Sequence, residues 1–105
     1  MLKGDMGYKI KLDPLAKLDI DDNIDWYEQQ QPGLGIRFYQ NVKDAFRLIE
    51  QNPFSFPIKY KNTRATVVNA FPFTIYYIIN QENNTIAILS VFKTPQHPDK
   101  WKSRT

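Results

Sequence analysis

From residue 8 to residue 12 apolar and polar positions alternate, with Tyr8, Ile10 and Leu12 on one parity and Lys9 and Lys11 on the other. A period of two predicts a half-buried strand. Asp13-Pro14 then reads as a helix start, with the aspartate as N-cap and the proline as first helical residue. From Leu15 to about Gln30 the period is helical. Ala16, Ile20, Ile24 and Tyr27 recur at spacings of four, four and three, and the aspartates fall mostly off that stripe. Gln31-Pro32-Gly33 breaks the helix, and Gly35 loosens the turn. A second helix is predicted over 34–51, where Phe38, Val42, Ala45, Phe46 and Ile49 form a broad apolar face. Two amphipathic helices around so short a break predict an antiparallel αα-hairpin. Asn52-Pro53 stops the second helix, and the prolines of the next stretch make Phe54 to Pro57 a loop.

After the loop the period returns to two. Strands are predicted at about 63–69, 73–79 and 85–92, with a hairpin turn at Gln81 to Asn84. Short connections make these three an antiparallel meander. Strict alternation requires one of Tyr76 and Tyr77 to face the core, and the sequence leaves open which. The order is strand, helical hairpin, then a three-stranded meander completing one sheet. It is an α+β layout with helices on one sheet face, in a single domain spanning 1–105. In the tail from Lys93 to Thr105, two prolines keep the start extended. Trp101 is expected to plug the core near the C-terminus, and Trp26 to lie against the second helix or the loop.

Composition narrows the class. The 105 residues are 42% hydrophobic and 24% charged, which excludes a disordered or low-complexity chain. No apolar run approaches the ~20 residues of a membrane span, and no secretory h-region opens the chain. With no cysteine, a reducing cytoplasm is the expected setting and no membrane partner is expected. Net charge is only +3, but it is unevenly placed. Residues 13–28 hold six of the eleven acids against the single Lys17, whereas residues 58–105 hold seven cations against two acids, a surplus of five. Such asymmetry points to an anionic partner for the C-terminal half, either nucleic acid or an acidic protein segment, unless both are solvated surface.

The common chemical signatures are missing. Gly33 and Gly35 sit between helices and not after a strand, so no phosphate-binding glycine loop is present. One histidine and no cysteine cannot build a zinc site, and the acids of the first helix do not follow a calcium loop, so no metal and no cofactor are expected. What remains is basic and aromatic. Arg64, Tyr77, Lys93 and His97 are candidates for a metal-free cleavage of RNA, which needs a base, an acid and cations on the phosphate. Lys59, Lys61, Lys100, Lys102 and Arg104 are candidates for nucleic-acid or target binding. A meander could bring the basic groups and the tyrosines to one concave patch. Against this stand plain structural roles, with His97 at the surface and the acidic helix face in solvent.

These residues carry a resemblance. Residues 26–38, WYEQQQPGLGIRF, resemble the interhelical signature of the RelE/ParE toxin superfamily, and NPFSFP, FPFTIYYII and IAILSVFKTPQHPDKW continue the match in order. It covers the chain from about Tyr8 to Arg104, closer to the ParE-like branch. The resemblance implies a toxin of a type II toxin–antitoxin (plasmid-stabilisation-like) pair, neutralised by a cognate antitoxin that covers the basic, sheet-side surface. It implies one of two activities. ParE-like members inhibit DNA gyrase, and RelE-like members cleave mRNA on the ribosome without a metal. Related toxins often carry a histidine after the last strand and an arginine three residues later, where this chain has Lys93 and Gln96. The Asn69-Ala70 pair stands where an arginine is often found. These departures favour gyrase binding and leave mRNA cleavage, or a decayed non-toxic binding module, as alternatives. A homodimer is possible when the antitoxin is absent.

Overall fold

The computed structural model describes residues 7–94. Strand β1 is Lys9–Leu12, helix α1 Pro14–Gln30, helix α2 Leu34–Gln51, and strands β2 to β5 are Ile58–Tyr60, Thr63–Val67, Phe73–Asn80 and Thr85–Lys93. They form one five-stranded sheet in the order β1-β5-β4-β3-β2. Only the β1–β5 pair is parallel. The α+β layout follows the sequence reading with one addition. Ile58–Tyr60 is an edge strand, so the meander has four strands and not three.

Both ends of the helical hairpin are built as their residues dictate. Asp13 Oδ1 accepts from the Leu15 amide at 3.0 Å, and Pro14 follows in the first turn, where its missing N–H costs nothing. At the other end Gly33 has φ of 90°, a left-handed backbone that a side chain disfavours. No side chain at Gly33 can cap α2. The carboxylate of Glu28 does so from the preceding helix, accepting from the Gly33 amide at 2.8 Å and the Gly35 amide at 3.0 Å. Its negative charge also lies at the positive end of the helix dipole. Gly35 is required for a separate reason, since a Cβ there would lie 2.5 Å from the Ile24 carbonyl oxygen. The helices therefore meet backbone to backbone, locked by one carboxylate. Glu28→Ala is expected to cost about 1–2 kcal/mol, the range of a lost helix cap, and Glu28→Gln less. Urea titration of the two variants checks this.

The core lies between the hairpin and one sheet face. Ala16, Ile20, Phe38, Val42, Ala45 and Ile49 from the helices meet Phe73, Ile75, Tyr77, Ile86, Ile88 and Val91 from the strands. At the hairpin's closed end four rings cluster. Phe38 lies 5.2 Å from Tyr27, 5.3 Å from Phe71 and 5.0 Å from Phe73, between ring centroids. The other sheet face carries no helix among the described residues.

A bulge in β5 decides which side chains reach which face. Tyr76 pairs with Ser90 but Tyr77 with Ile88, so Leu89 has no partner on β4. Upstream of the bulge Ile86 and Ile88 face the helices, and downstream Val91 does. Lys93 shares the parity of Val91 and so turns to the helix side, while Phe92 turns outward. Beyond the end of β1, the Val91 amide donates to Asp19 Oδ2 of α1 at 3.3 Å. One acid of the aspartate-rich helix thus ties it to the sheet.

Candidate functional site

Arg64, Tyr77 and Lys93 all lie on the helix side of the sheet but are spread along it and engage different partners, while Lys59 lies on the outer face. Tyr77 faces the core and is fully buried, with its hydroxyl donating to the Pro53 carbonyl at 2.7 Å. Burial pushes its pKa up, outweighing the opposite pull of Arg64. A buried phenol that is a weaker acid than usual cannot serve a substrate at the surface, which takes Tyr77 out of the candidate catalytic group. Its neighbour Tyr76 takes the outer face, beside Phe92 with ring centroids 6.4 Å apart.

Arg64 pairs with Tyr77 across β3 and β4 and so faces the helix side as well. Its Nη1 donates to the Phe54 carbonyl at 3.1 Å and to the Phe56 carbonyl at 2.7 Å, and its guanidinium lies 5.3 Å from the Phe54 ring centre. The loop between α2 and β2 has few backbone partners of its own, and Arg64 and Tyr77 supply them. Arg64 was expected among the RNA-cleaving residues, and here its Nη1 is engaged with two protein carbonyls. Arg64→Ala is expected to destabilise the fold by about 1.5–3 kcal/mol, as for hydrogen bonds from a charged group. It is expected to speed proteolysis at 54–57, which limited digestion followed by mass spectrometry will locate.

Lys93 lies elsewhere. It pairs with Phe73, four residues of β4 away from Tyr77, roughly 13 Å along the strand. Its ammonium sits 5.7 Å from the ring centre of Trp26. Trp26 is 49% exposed and touches Tyr27 edge-on, with centroids 5.1 Å apart. The expected burial of Trp26 against α2 or the loop is not what forms. It lies half-exposed in the second half of α1 and receives a cation instead. Lys59 and Lys61 are both exposed at the β2 edge, Lys61 in a left-handed turn with φ of 52°. His97, Lys100, Lys102 and Arg104, and Trp101 with them, lie outside the described residues. Of the catalytic candidates within 7–94, then, Arg64 and Tyr77 are neighbours, and both hold the Pro53–Phe56 loop.

The shifted tyrosines set a pH dependence. Burial raises the pKa of Tyr77 and of Tyr27. A group with a raised folded-state pKa binds its proton more tightly when folded, so its contribution is complete below the unfolded value of about 10 and is lost above it. Stability is expected to fall as pH rises beyond about 10, and less steeply in Tyr77→Phe. Urea midpoints measured from pH 8 to pH 11 check both slopes.

Two open surfaces remain. The first is a groove of about 340 Å³ where α1 and α2 diverge over β1. Its floor is Ile10, Ile20, Val42 and Phe46, with Leu12 and Tyr39 at its margin. Lys17, Lys43 and Asp21 stand on its rim, and Asp21 is paired with Lys17 at 2.8 Å. The second is a cleft of about 490 Å³ on the uncovered sheet face, lined by Phe56, Ala65, Val67, Thr74 and Tyr76 with Lys59 as its cation. Sequence reasoning named none of the groove's residues as a site, although Tyr39 falls off the buried stripe of α2 and gives a signal. Among the described residues there is no cluster of three or more histidine, cysteine, aspartate or glutamate side chains fit for a metal. No described helix is long and apolar enough to cross a membrane.

The described residues thus form a five-stranded sheet under one helical hairpin, with an apolar groove beside β1. The comparisons with known proteins identify the family. Residues 10–98 match the family described as the ParE toxin of the type II toxin-antitoxin system, parDE, and the chain belongs to that family. Among solved structures, it is similar to the chromosomal ParDE system from P. aeruginosa, with a TM-score of 0.73 at 17% identity over 84% of this chain and 97% of that one. It is also similar to the RelBE2 toxin–antitoxin complex from Mycobacterium tuberculosis, with a TM-score of 0.55 at 19% identity over 83% and 98%. The isolated E. coli RelE toxin gives a TM-score of 0.62 at 12% identity over 93% and 99%. At these identities the structural likeness establishes the fold. No curated protein matches the chain.

Proposed function

We propose that this chain is the toxin of a type II pair, that a cognate antitoxin neutralises it, and that it acts by binding DNA gyrase. The toxin–antitoxin part rests on the family match over residues 10–98. The choice of binding over RNA cleavage is supported by one observation of the described residues: Arg64, Tyr77 and Lys93 do not share one open surface site. Arg64 donates to loop carbonyls, Tyr77 lies in the core, and Lys93 lies over Trp26. General acid–base cleavage needs such groups within hydrogen-bond reach of one reacting phosphate. The antitoxin is assigned to the α1–α2–β1 groove, whose apolar floor and lysine rim suit an amphipathic segment with acidic flanks.

Induced expression of the full chain in a bacterial host tests this reading. Growth arrest is expected, with a reporter plasmid losing negative supercoils on a chloroquine gel while primer extension shows unchanged mRNA 5′ ends. New ribosome-dependent 5′ ends would favour the RelE-like alternative. Undisturbed growth would favour a decayed binding module.

A further inference from the structure

The outward face of the helical hairpin carries the two charge signs on separate helices. We propose that this face is an interface between two copies of this chain, joined hairpin to hairpin as a four-helix bundle about a two-fold axis parallel to the helices. A residue two positions from a buried one lies about 200° round the helix from it. Leu18 stands so between buried Ala16 and Ile20, Gln40 between Phe38 and Val42, and Arg47 between Ala45 and Ile49. Asp22, Asp25, Ile36 and Lys43 are exposed beside them. Leu18 is 55% exposed and Ile36 59%, so the face has apolar as well as charged positions. Neither end of the described chain sits on it, since Tyr8 packs against Phe54 and the Thr94 amide donates to the Pro72 carbonyl.

Charge selects both the occupant and the axis. α1 has five acids against Lys17, and α2 has three cations against Asp44 and Glu50. Lys17 pairs with Asp21 and Arg47 with Asp44, while Asp22, Asp25 and Lys43 form no ion pair among the described residues. A partner of one charge sign would meet repulsion across half of this face. A second copy brings both signs in the same arrangement, as an isologous contact requires. Residues equally far from the Pro32-Gly33 turn lie side by side, which sets Asp22 and Asp25 level with residues 39–43 of α2. An axis parallel to the helices lays α1 over the partner's α2 at the same level, acid on base. An axis perpendicular to them would lay α1 over the partner's α1, acid on acid. The 17 residues of α1 span about 25 Å, and two helices side by side are about 20 Å wide. The contact then covers roughly 500 Å² per copy and about 1,000 Å² in all, the low end of specific interfaces. The dimer is therefore weak and forms at high toxin concentration. Lys43 belongs to this face and to the rim of the α1–α2–β1 groove, so self-association and a groove ligand compete.

Sedimentation velocity of the full chain alone, from about 5 to about 500 μM, is the test. The mass is expected to rise from 12.4 kDa towards twice that value, with a midpoint of roughly 10 μM or above. Two variants changed only at exposed positions reverse one helix each: Asp22→Lys/Asp25→Lys on α1 and Gln40→Glu/Lys43→Glu on α2. Each alone is expected to dimerise at least about tenfold more weakly, with an unchanged circular dichroism spectrum. Their equimolar mixture is expected to recover a dimer, because one hairpin is then basic on both helices and the other acidic on both. Added salt should weaken that mixed dimer. A wild-type chain still monomeric at the highest concentration would overturn the proposal. So would a dimer that persists undiminished in either variant, or two monomeric variants that stay monomeric when mixed.

Discussion

Replacing Phe38 by alanine is expected to lower stability by about 3–5 kcal/mol, the range for truncating a buried phenylalanine. Phe38 is fully buried, and its ring touches Tyr27 of α1, Phe71 before β4 and Phe73 of β4. It is therefore where both helices and the sheet meet. Truncation leaves a cavity that rings held on two separate backbone segments, α1 and residues 71–73, cannot jointly close, so relaxation recovers little. Against a total of about 5–15 kcal/mol for a small domain, the loss is a large share of the whole. At roughly 4–8 °C per kcal/mol, the midpoint should fall by at least ~12 °C. Phe92→Ala is the matching control, since Phe92 is 59% exposed on the uncovered face and should cost under about 1 kcal/mol. Thermal denaturation of the two variants side by side measures the contrast. A loss below about 1 kcal/mol for Phe38→Ala would contradict the aromatic cluster as the joint of the fold.

Tyr39→Asp is expected to weaken the antitoxin about thirtyfold or more, the loss of roughly 2 kcal/mol that defines a central interface residue. Tyr39 lies at the margin of the hairpin groove, partly exposed, with Lys43 over its ring at 5.3 Å. Its apolar ring and basic neighbour are the pair that an acidic, apolar segment would engage. A carboxylate there removes the ring and places a negative charge against the partner's own acids. Because the side chain is partly in solvent, the fold should survive. Leu48→Asp serves as control, since Leu48 is 52% exposed on α2 and does not line this groove. Titration calorimetry with the cognate antitoxin gives both numbers. In growth assays Tyr39→Asp should stay toxic when the antitoxin is co-expressed, and Leu48→Asp should be neutralised.

The helices were legible because their signals are local. Asp13-Pro14, the spacing of Ala16, Ile20, Ile24 and Tyr27, and the Pro32-Gly33 break act over a few residues each. The outline of the sheet was legible from period two. What was hidden depends on partners distant in sequence. β2 has three exposed residues and no alternation to announce it. The Leu89 bulge breaks the parity of β5, so Lys93 changes face in a way its immediate neighbours do not reveal. Arg64 binds two carbonyls ten and eight residues upstream, and no residue type signals a carbonyl as a partner. The choice between Tyr76 and Tyr77 was within reach, since Phe73 and Ile75 share the parity of Tyr77 while Thr74 shares that of Tyr76. The candidate site was the least legible part, because strand neighbourhood in a meander does not say how far along the strands two side chains lie or which protein groups they engage.

The central claim is that this toxin works by binding and not by cutting. The most direct measurement adds the purified full chain to purified DNA gyrase, relaxed plasmid and ATP, and follows supercoiling on an agarose gel. The account predicts that supercoiling stops near stoichiometric toxin, in wild type and equally in Lys93→Ala, which leaves the groove and cleft untouched. Full supercoiling at a large excess of folded toxin would contradict it.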